Sequence, residues 1–500
     1  MPKTVKKPGE PGARLNPPEN SVTVRMYFTG FGDCFLLAFR AEDGEPRYVL
    51  IDCGVHDKYQ GGDARLKSIA QDIAETTGNK LHIVAVTHEH TDHLYGFMYG
   101  KDSFQNIEID ELWLPWTEDP GNALAQELKK IYGTKIRALE TAIAGLHAAG
   151  NLHALKLTNL FGFDLGSAAA AGMRGNKGIL ESLRAWSRKK LERPEDYRTP
   201  GEDPIELPGV KGVRCYVLGP PENIDFIKNL EAKKEMYFNT PALTEETAFI
   251  SAVMDASDKK VPGGNQEFRG YPFDTNFSVP PKEAAKGYEG FFRKYYGFKD
   301  QEGHGPRWRR IETDWLENSA DQLALSINSL TNNTSLVLAF ELTKTSPAKV
   351  LLFTGDAQVG NWLSWQNVSW TTKSGKEQET ITGADLLRRT VLYKVGHHGS
   401  SNATLREKGL EMMDSPELVA MLPVDSDWAL RTMRWHHPDA KIESRLMQKA
   451  RGRVIRSDRI PEGDRFDKPE EARDAEWDVF LKKLEWDKSP ERLWIQYTIQ

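Results

Sequence analysis

Short apolar runs separated by polar turns dominate the beginning of the chain. The segments SVTVRMYF (21–28), DCFLLAF (33–39) and RYVLIDCG (47–54) are rich in β-branched and aromatic residues, which predicts three consecutive strands. Residues 63–77 then place leucine, isoleucine and alanine at helical intervals before a glycine, and LHIVAV (81–86) follows as a continuous apolar strand. Strand, helix and buried strand in succession predict an α/β core.

A second block of strand-like runs begins near residue 319, after two long stretches that do not continue this pattern. The first stretch is mostly helical, and the second contains a glycine- and aromatic-rich tract without a regular period. We therefore expect one core that is interrupted by insertions. The predicted segments are a disordered leader at 1–20, the first part of the core at 21–116, a helical insertion at 117–210, a core strand at 211–224, an insertion or lid at 225–318, the second part of the core at 319–465, and a C-terminal helix and strand at 466–500.

Composition and charge exclude several classes of protein. The 500 residues are 39% hydrophobic and 28% charged, which is too apolar for a disordered chain. A net charge of −6 argues against nucleic-acid binding through a general positive field. A polyanion could bind only where positively charged residues form a local patch on the protein. The chain has neither an apolar run of about 18 residues nor an apolar signal segment, so we expect no membrane partner and a cytoplasmic location. Its three cysteines lack CxxC spacing, which predicts free buried thiols.

The motif HEHTDH stands directly after the predicted strand LHIVAV. A tight loop at a strand end can aim His88 and His90 at one cation, while Asp92 and His93 turn to a neighbouring cation. Imidazole and carboxylate ligands both suit Zn²⁺. The alternative is a polar loop that begins a helix, with Asp92 as the cap.

Three further candidate ligands each follow an apolar strand later in the chain. Asp356 ends LLFTGD, and His397 and His398 follow VLYKVG. Ligands from separate strand ends can converge at one edge of a sheet, where α/β folds place their sites. We expect Asp356 to be a metal-bridging carboxylate, against the alternative of a simple turn residue. The spacing does not choose between the two histidines: one would bind metal, and the other would orient it or face a substrate.

In this order, the motifs resemble those of the metallo-β-lactamase hydrolase superfamily. The segments GFGDCFLL, YVLIDCG, VLGPP, LLFTGDA, KVGHHGSSN and VIRSD are most similar to the soluble lactamase-like domain of ComEC-type competence proteins, over roughly 21–115 and 320–460. The resemblance implies a four-layered αββα fold, here with large helical and aromatic-rich insertions, one or two Zn²⁺ ions and hydrolysis. No membrane channel accompanies the domain, so DNA uptake itself is not implied.

The chain departs from the family at one ligand. Most members supply another histidine before the bridging aspartate, and here the family-like position is Asn332 or Asn333, which are weak neutral oxygen donors. We therefore predict that the first metal site is weaker than the second, or that it accepts Mn²⁺ as readily as Zn²⁺. Asp52, which resembles the family's first motif, is expected to orient a ligand rather than to bind metal itself.

The predicted reaction is attack by a hydroxide held between two cations about 3.5 to 4 Å apart, with Asp92 and Asp356 holding it in place. The same charges would stabilise a phosphodiester transition state. His437 resembles the family's late histidine before a proline and is the candidate proton donor. The alternative for His437 is a surface turn set by Pro438.

Signals for a substrate are a basic and aromatic tract, 291–310, and the serines after His398. Alternating rings and cations suit single-stranded nucleic acid, but the same rings could instead pack the insertion onto the core. The serines could bind a phosphate or cap the next helix. The candidate substrate-binding residues are Arg293, Tyr295, Tyr296, Trp308, Arg309, Ser400 and Ser401.

These observations favour a metal-dependent hydrolase that cleaves phosphodiesters, in DNA, under a lid formed by the insertions. One alternative is hydrolysis of a small ester or diester, such as a phosphocholine-type or cyclic-nucleotide substrate or a lactone. Another, from a different class, is a regulatory or scaffold subunit that keeps a degenerate metal site for structure. The sequence does not indicate an oligomeric state or a protein partner.

Overall fold

The structure is a computed structural model of the 500-residue chain. The residues it describes are 13–148, 153–155, 157, 175–229, 232, 234–236, 250, 290–291, 314–374, 377–461 and 466–500.

The described residues belong to two compact units. The first comprises residues within 1–128, 163–240 and 329–500, and the second residues within 129–162 and 241–328. All the strands described belong to the first unit. They are β1 (Val22–Tyr27), β2 (Cys34–Arg40), β3 (Pro46–Cys53), β4 (Lys80–Ala85), β5 (Glu108–Trp113), β6 (Ile205–Glu206), β7 (Val213–Gly219), β8 (Val337–Leu342), β9 (Lys349–Phe353), β10 (Ser369–Ser374), β11 (Glu377–Thr382), β12 (Thr390–Lys394), β13 (Val419–Leu422), β14 (Val454–Arg456), β15 (Leu484–Trp486) and β16 (Trp494–Ile499).

Helices connect and flank these strands, and the longest two run from one unit into the other. The helices are α1 (Gly62–Thr77), α2 (Thr91–Tyr99), α3 (Lys101–Phe104), α4 (Ala123–Ala148), α5 (Gly175–Trp186), α6 (Ile224–Lys228), α7 (Asp314–Asn333), α8 (Val359–Ser364), α9 (Gly383–Arg388), α10 (Ser426–Trp428), α11 (Ala440–Lys449) and α12 (Asp474–Lys482).

The first unit contains two mixed seven-stranded sheets and a two-stranded ribbon, β10–β11. The first sheet has the order β15-β16-β1-β2-β3-β4-β5, and the second has the order β14-β13-β12-β9-β8-β7-β6. In the first sheet β3, β4 and β5 are parallel, and in the second β9, β12, β13 and β14 are parallel. Mixed sheets with helices confirm the predicted α/β class.

One apolar cluster contains side chains from both sheets. Phe35 of the first sheet lies 5.8 Å from Phe353 of the second, and Phe39 lies 5.6 Å from Phe340, measured between ring centroids. Packing of this kind buries one face of each sheet, and the burial of apolar surface stabilises it by roughly 25 cal/mol per Å².

The opposite face of each sheet packs against helices. On the first sheet, Leu36 and Leu50 join α1, α2 and α5 in a second buried cluster. On the second sheet, Leu352 and Tyr393 join α8, α9 and α11 in a third. Because both faces are covered, the central strands have the continuous apolar runs seen in the sequence.

The strands and the helix predicted from the first hundred residues are confirmed at β1 to β4 and α1. Leu66, Ile69 and Ile73 of α1 are fully buried, as their spacing indicates. The helix ends at Gly78, whose φ of 64° is the left-handed conformation that favours glycine. Cys34, Cys53 and Cys215 are free and buried, also as predicted.

The predicted disordered leader is wrong for residues 13–20. Leu15 is 5% exposed, its amide N–H donates to the carbonyl oxygen of Thr76 over 3.3 Å, and its carbonyl accepts from the hydroxyl of Tyr48 over 2.9 Å. A single buried leucine with two backbone hydrogen bonds therefore fixes this stretch on α1 and β3. Residues 1–12 lie outside the described part of the chain.

The second unit has a helical core of its own. Leu139 and Leu146 from α4 pack with Leu323 and Ile327 from α7. The segments of this unit fall largely within the predicted insertions, although 175–210 belong to the first unit. No helix among the described residues combines the length and apolar character that a membrane span requires.

Two helix glycines allow a matched test of the packing between α2 and β3. A Cβ atom at Gly96 would lie 2.1 Å from Cys53 Sγ, whereas a Cβ at Gly133 in α4 would meet no atom within 4 Å. We expect Gly96→Ala to lower the free energy of unfolding by about 1 to 3 kcal/mol through overpacking, and Gly133→Ala to raise it by about 0.5 to 1 kcal/mol. Urea denaturation followed by circular dichroism measures both, and equal effects would contradict the close approach.

Candidate metal centre

Polar side chains follow the carboxyl ends of parallel strands from both sheets. The structure brings His88, His93 and Asp356 into one group of ligand atoms, and Asp92, Asp356 and His398 into another; within each group all atoms lie within 4.8 Å of one another. Every one of these side chains is at most 2% exposed. Asp356 belongs to both groups, so two buried clusters that could bind a metal ion share one carboxylate.

The imidazoles of His93 and His398 are held by one nitrogen and point the other at a carboxylate. His93 Nδ1 is 2.7 Å from Asp52 Oδ2, and its Nε2 is 3.1 Å from Asp356 Oδ2. His398 Nδ1 is 2.7 Å from the carbonyl oxygen of Pro423, which fixes the proton on Nδ1, and its Nε2 is 3.0 Å from Asp92 Oδ2. Each ring therefore presents Nε2 as the ligand atom.

His88 is oriented in a similar way. Its Nδ1 lies 3.0 Å from Thr87 Oγ1 and 3.3 Å from Ser335 Oγ, and its Nε2 lies 2.9 Å from His90 Nδ1. His93 Nε2 is also 3.6 Å from Asp92 Oδ2, so His93 lies between the two groups of ligand atoms. The sequence analysis assigned His88 and His90 to one cation and Asp92 and His93 to the other, whereas the structure groups His93 with His88.

The shared carboxylate Asp356 is fixed by three contacts. Its backbone N–H donates to Ser335 Oγ over 3.1 Å, and its Oδ1 accepts from the backbone N–H of His397 over 2.9 Å. Lys394 Nζ is 3.4 Å from the same Oδ1 and donates to the carbonyl oxygen of Gly355 over 2.7 Å. Its ammonium also forms a buried ion pair with Asp33.

Close backbone contacts bring these loops together. A Cβ at Gly54 would lie 2.2 Å from the carbonyl carbon of Asp92, and a Cβ at Gly32 would lie 2.7 Å from its carbonyl oxygen. Only glycine leaves room for the start of α2 at both positions. His397 and His398 have φ values of 44° and 51°, a left-handed conformation that costs non-glycine residues about 1 to 3 kcal/mol each.

Negative charge exceeds positive charge among the described side chains of this cluster. Asp33, Asp52, Asp92 and Asp356 are all at most 1% exposed, and Lys394 is the ammonium that accompanies them. Removing an ion from water costs several kcal/mol per group unless it is paired. The imbalance favours cations in the cluster.

The pKa values show that bound protons offset part of this charge, since burial raises the pKa of Asp33 and nearby carboxylates raise the pKa of His398 against the effect of burial. Burial disfavours each charged form, yet His93 lowers the pKa of Asp92 to about 2. In the same way His93 and Lys394 hold the pKa of Asp356 well below its usual value. Burial alone would lower the pKa of His93, but the carboxylates of Asp356 and Asp92 raise it well above its ordinary value. Burial and the charge of His93 keep the pKa of His88 well below normal.

The donor set fits a divalent metal. Asp92 Oδ1 is buried and has no hydrogen-bond partner within the described part of the chain. Buried carboxylate oxygens are otherwise almost always paired, so a missing partner at this position needs an explanation. Imidazole nitrogens and carboxylate oxygens are the ligands that Zn²⁺ takes, and the same set accommodates Mn²⁺.

Of the two adjacent histidines predicted as ligands, His398 is buried and belongs to the cluster. His397 is partly exposed, and its Nδ1 lies 3.4 Å from Gln358 Nε2. Asn333 is occupied elsewhere: its Nδ2 donates to the carbonyl oxygen of Ile227 over 3.0 Å, and its Oδ1 accepts from the N–H of Asn361 over 3.2 Å. These contacts give the prediction of Asn333 as a replacement ligand no support. Asn332 is buried, and its role as a ligand stays a prediction.

His437 lies beside the centre. Its ring is 6.0 Å from that of His397, centroid to centroid. Burial, together with the neighbouring histidines, lowers the pKa of His437 to about 3. A ring with this pKa is neutral at neutral pH, and a neutral imidazole carries one N–H for hydrogen bonding. The role of His437 as proton donor stays a prediction.

The predicted substrate residues are only partly described. The Ser400 hydroxyl donates a hydrogen bond to Asn402 Oδ1 over 2.7 Å within the local turn. Ser401 is partly exposed. Their predicted contact with a phosphate stays a prediction. The others, Arg293, Tyr295, Tyr296, Trp308 and Arg309, lie outside the described residues.

Sequence reasoning missed Asp33, Ser335 and Lys394. A lysine inside the apolar run VLYKV was a usable signal, since a buried strand rarely holds a charge without a partner. Asp33 and Ser335 stand in turns where such residues are common, so nothing local distinguished them.

Comparisons of the chain with protein-family models, with curated proteins and with solved structures find no match. The functional argument therefore depends on the motifs and on the geometry of the centre.

Lys394 offers a test of the charge balance. We expect Lys394→Met to lower the free energy of unfolding by about 3 to 5 kcal/mol in the presence of a chelator, because it leaves buried carboxylates unpaired. Lys349→Met is the matched control on β9, since Lys349 is paired 2.8 Å from Glu417, which is 54% exposed, and should cost at most about 1 kcal/mol. Urea denaturation measures both, and similar losses would contradict the role assigned to Lys394.

Metal binding should depend on the shared carboxylate. At free zinc about a hundred times Kd, we expect the wild-type chain to gain about 2.7 kcal/mol of stability. Asp356→Asn should lose this gain and bind zinc at least roughly a hundredfold more weakly. Asp385→Asn, at the start of α9, is the control and should keep zinc affinity. Calorimetry and metal analysis give affinity and stoichiometry; unchanged binding by Asp356→Asn would refute the site, and two equal tight sites would refute the predicted weaker first site.

Proposed function

We propose that the chain is a metal-dependent hydrolase with the metallo-β-lactamase fold that cleaves phosphodiester bonds. The observation that carries this proposal is the sharing of Asp356 by two buried histidine–aspartate groups. A carboxylate common to two ligand groups suits a pair of neighbouring cations, which is the arrangement used for displacement at phosphorus.

The packing of the first unit supports the proposed fold. One apolar cluster joins the two sheets, and the outer face of each sheet joins helices in a separate cluster. Helix, sheet, sheet and helix in succession are the layers expected of an αββα fold. The candidate ligands stand after the carboxyl ends of β4, β9 and β12, where α/β folds place their sites.

The chain's own side chains would hold Zn²⁺ through two sets of ligands. His88, His93 and Asp356 form one, and Asp92, Asp356 and His398 form the other, with His90 beside His88. Divalent cations bound there would supply Lewis acidity and lower the pKa of water toward about 7.

Other residues would orient these ligands and keep the site dry. Asp52 holds His93 by Nδ1 and also accepts from the N–H and the hydroxyl of Thr87, over 2.8 and 2.7 Å. Asp92 Oδ1, which has no hydrogen-bond partner among the described residues, is available as a ligand atom or as the acceptor of a hydrogen bond. His437, as a neutral ring, can donate a hydrogen bond to a bound substrate oxygen. The burial of the cluster strengthens each of these interactions.

Phosphodiester cleavage can be tested directly with metal-replete protein and four substrates: bis-p-nitrophenyl phosphate, single-stranded DNA, double-stranded DNA and RNA. We expect hydrolysis of the small diester and of at least one nucleic acid, and a loss of roughly a hundredfold or more in kcat for Asp92→Asn. Asp474→Asn, whose carboxylate is 90% exposed, is the control and should retain activity.

The outcomes separate the alternatives. Activity on the small diester alone would favour a narrow pocket for small substrates over a nuclease. Zinc binding without activity on any substrate would refute the proposal and favour a regulatory or scaffold protein with structural metal.

A further inference from the structure

One aromatic and basic segment beside the centre has no role in the proposed chemistry. Residues 426–437, here called the aromatic segment, begin with α10, continue as a π-helix at Ala429–Met433 and end at His437. The segment contains Trp428 and Trp435, both partly exposed, and the exposed arginines 431 and 434.

Ring contacts connect this segment to the candidate metal ligands. Phe31 lies 4.0 Å from the ring of His398, and from Phe31 the rings of Trp428 and Trp435 are 5.2 and 5.8 Å away, between centroids. Trp435 is in turn 5.8 Å from His437. Phe31 is therefore the ring that separates both indoles from His398, a candidate metal ligand.

The exposure of these indoles is unlike that of the core tryptophans. Trp113, Trp362 and Trp365 are at most 2% exposed, as expected of rings that only fill space. Phe31, which contacts both indoles, is 1% exposed, whereas the indoles are partly exposed to solvent and Leu430 of the segment is 45% exposed. Partly exposed aromatic and apolar side chains next to the candidate metal centre favour a binding role.

The backbone of the segment is held in an unusual conformation. Asp425 accepts from the hydroxyl of Tyr59 over 2.7 Å and from the N–H of Trp428 over 2.9 Å. At the other end the N–H of Trp435 donates to the carbonyl oxygen of Ala429 over 3.0 Å, after Arg434 with a φ of 62°. π-Helical turns and left-handed non-glycine residues concentrate at functional sites, and here they fix the indoles before a ligand arrives.

Positive charge accompanies the rings. Arg431 is 3.2 Å from Asp427, but both side chains are more than three-quarters exposed, so this pair is weak and leaves the guanidinium accessible. Arg434 adds a second exposed guanidinium. Aromatic faces interleaved with cations match a ligand with planar rings joined by phosphates.

We infer that the aromatic segment binds an unpaired nucleobase of single-stranded nucleic acid next to the phosphodiester at the metal centre. Trp435 would stack on the base, and Arg434 would contact the backbone phosphate. In a duplex the internal bases are stacked on and paired with one another, so a single strand offers a base face to an indole without the cost of unstacking a pair. The inference rests on the proposed function and names the substrate class of the same site.

Binding can be measured without catalysis, by fluorescence anisotropy in the presence of a chelator. The probes are a labelled oligothymidylate and the same strand with abasic positions. We expect the wild-type chain to bind the base-containing strand roughly tenfold more tightly, and Trp435→Ala to abolish most of this preference. Trp435→Phe keeps an aromatic face and should retain it. Trp186→Ala is the control, because Trp186 is also partly buried but packs against the helices of the first sheet.

A salt titration tests the arginine separately. Arg434→Gln should make the slope of log K against log salt shallower by about 0.7, the contribution of one phosphate contact in a single strand. Arg473→Gln, 71% exposed near α12, is the control and should leave the slope unchanged.

The outcomes distinguish this inference from the proposed function. Equal affinity for base-containing and abasic strands, or no binding of either, would overturn the inference even where the small diester is hydrolysed. A base preference lost in Trp435→Ala and kept in Trp435→Phe would support it, and if no substrate were hydrolysed the proposed function alone would fail.

Discussion

Four carboxylates and one lysine are buried together in the first unit, and this excess of negative charge constrains everything around it. The nearby imidazoles supply part of the compensating positive charge, since the pKa of His93 is raised and the pKa of Asp92 is lowered to about 2. Asp33 is paired with Lys394, and Asp52 and Asp356 contact His93, so the cluster already uses nearby cations to offset the cost of burying its carboxylates. The same carboxylates and imidazoles form groups that could bind a metal ion.

Hydrogen bonds from neighbouring residues hold the candidate ligands in position. His93, His88 and His398 each have Nδ1 held by an oxygen, so that Nε2 is the nitrogen that faces the other candidate ligands in all three. The loops that carry them meet only because glycines stand where any side chain would collide, as at Gly54 against Asp92. Strain at His397 and His398 is then offset by the packing and hydrogen bonds of the surrounding strands.

The sequence predicted much of this arrangement, because its strongest signals are local. Apolar runs predicted β1 to β4, and the residues after strand ends predicted which side chains meet. It could not predict that β16 pairs with β1, since pairing between opposite ends of the chain leaves no local pattern. Lys394 was a usable signal within an apolar run, but its partner Asp33 stands in a turn where aspartate is common, so the ion pair was missed. The anchoring of Leu15 was hidden by the prolines and charges around it.

The sequence search for a nucleic-acid surface was directed at 291–310 because cations and rings alternate there most densely. For a surface that positions a substrate, a second criterion is its contact with the candidate metal ligands. The aromatic segment has fewer charges, yet Phe31 connects its indoles to His398 through direct ring contact. A base bound on those indoles would place the adjoining phosphate near the metal ligands, so binding there would contribute to positioning for catalysis.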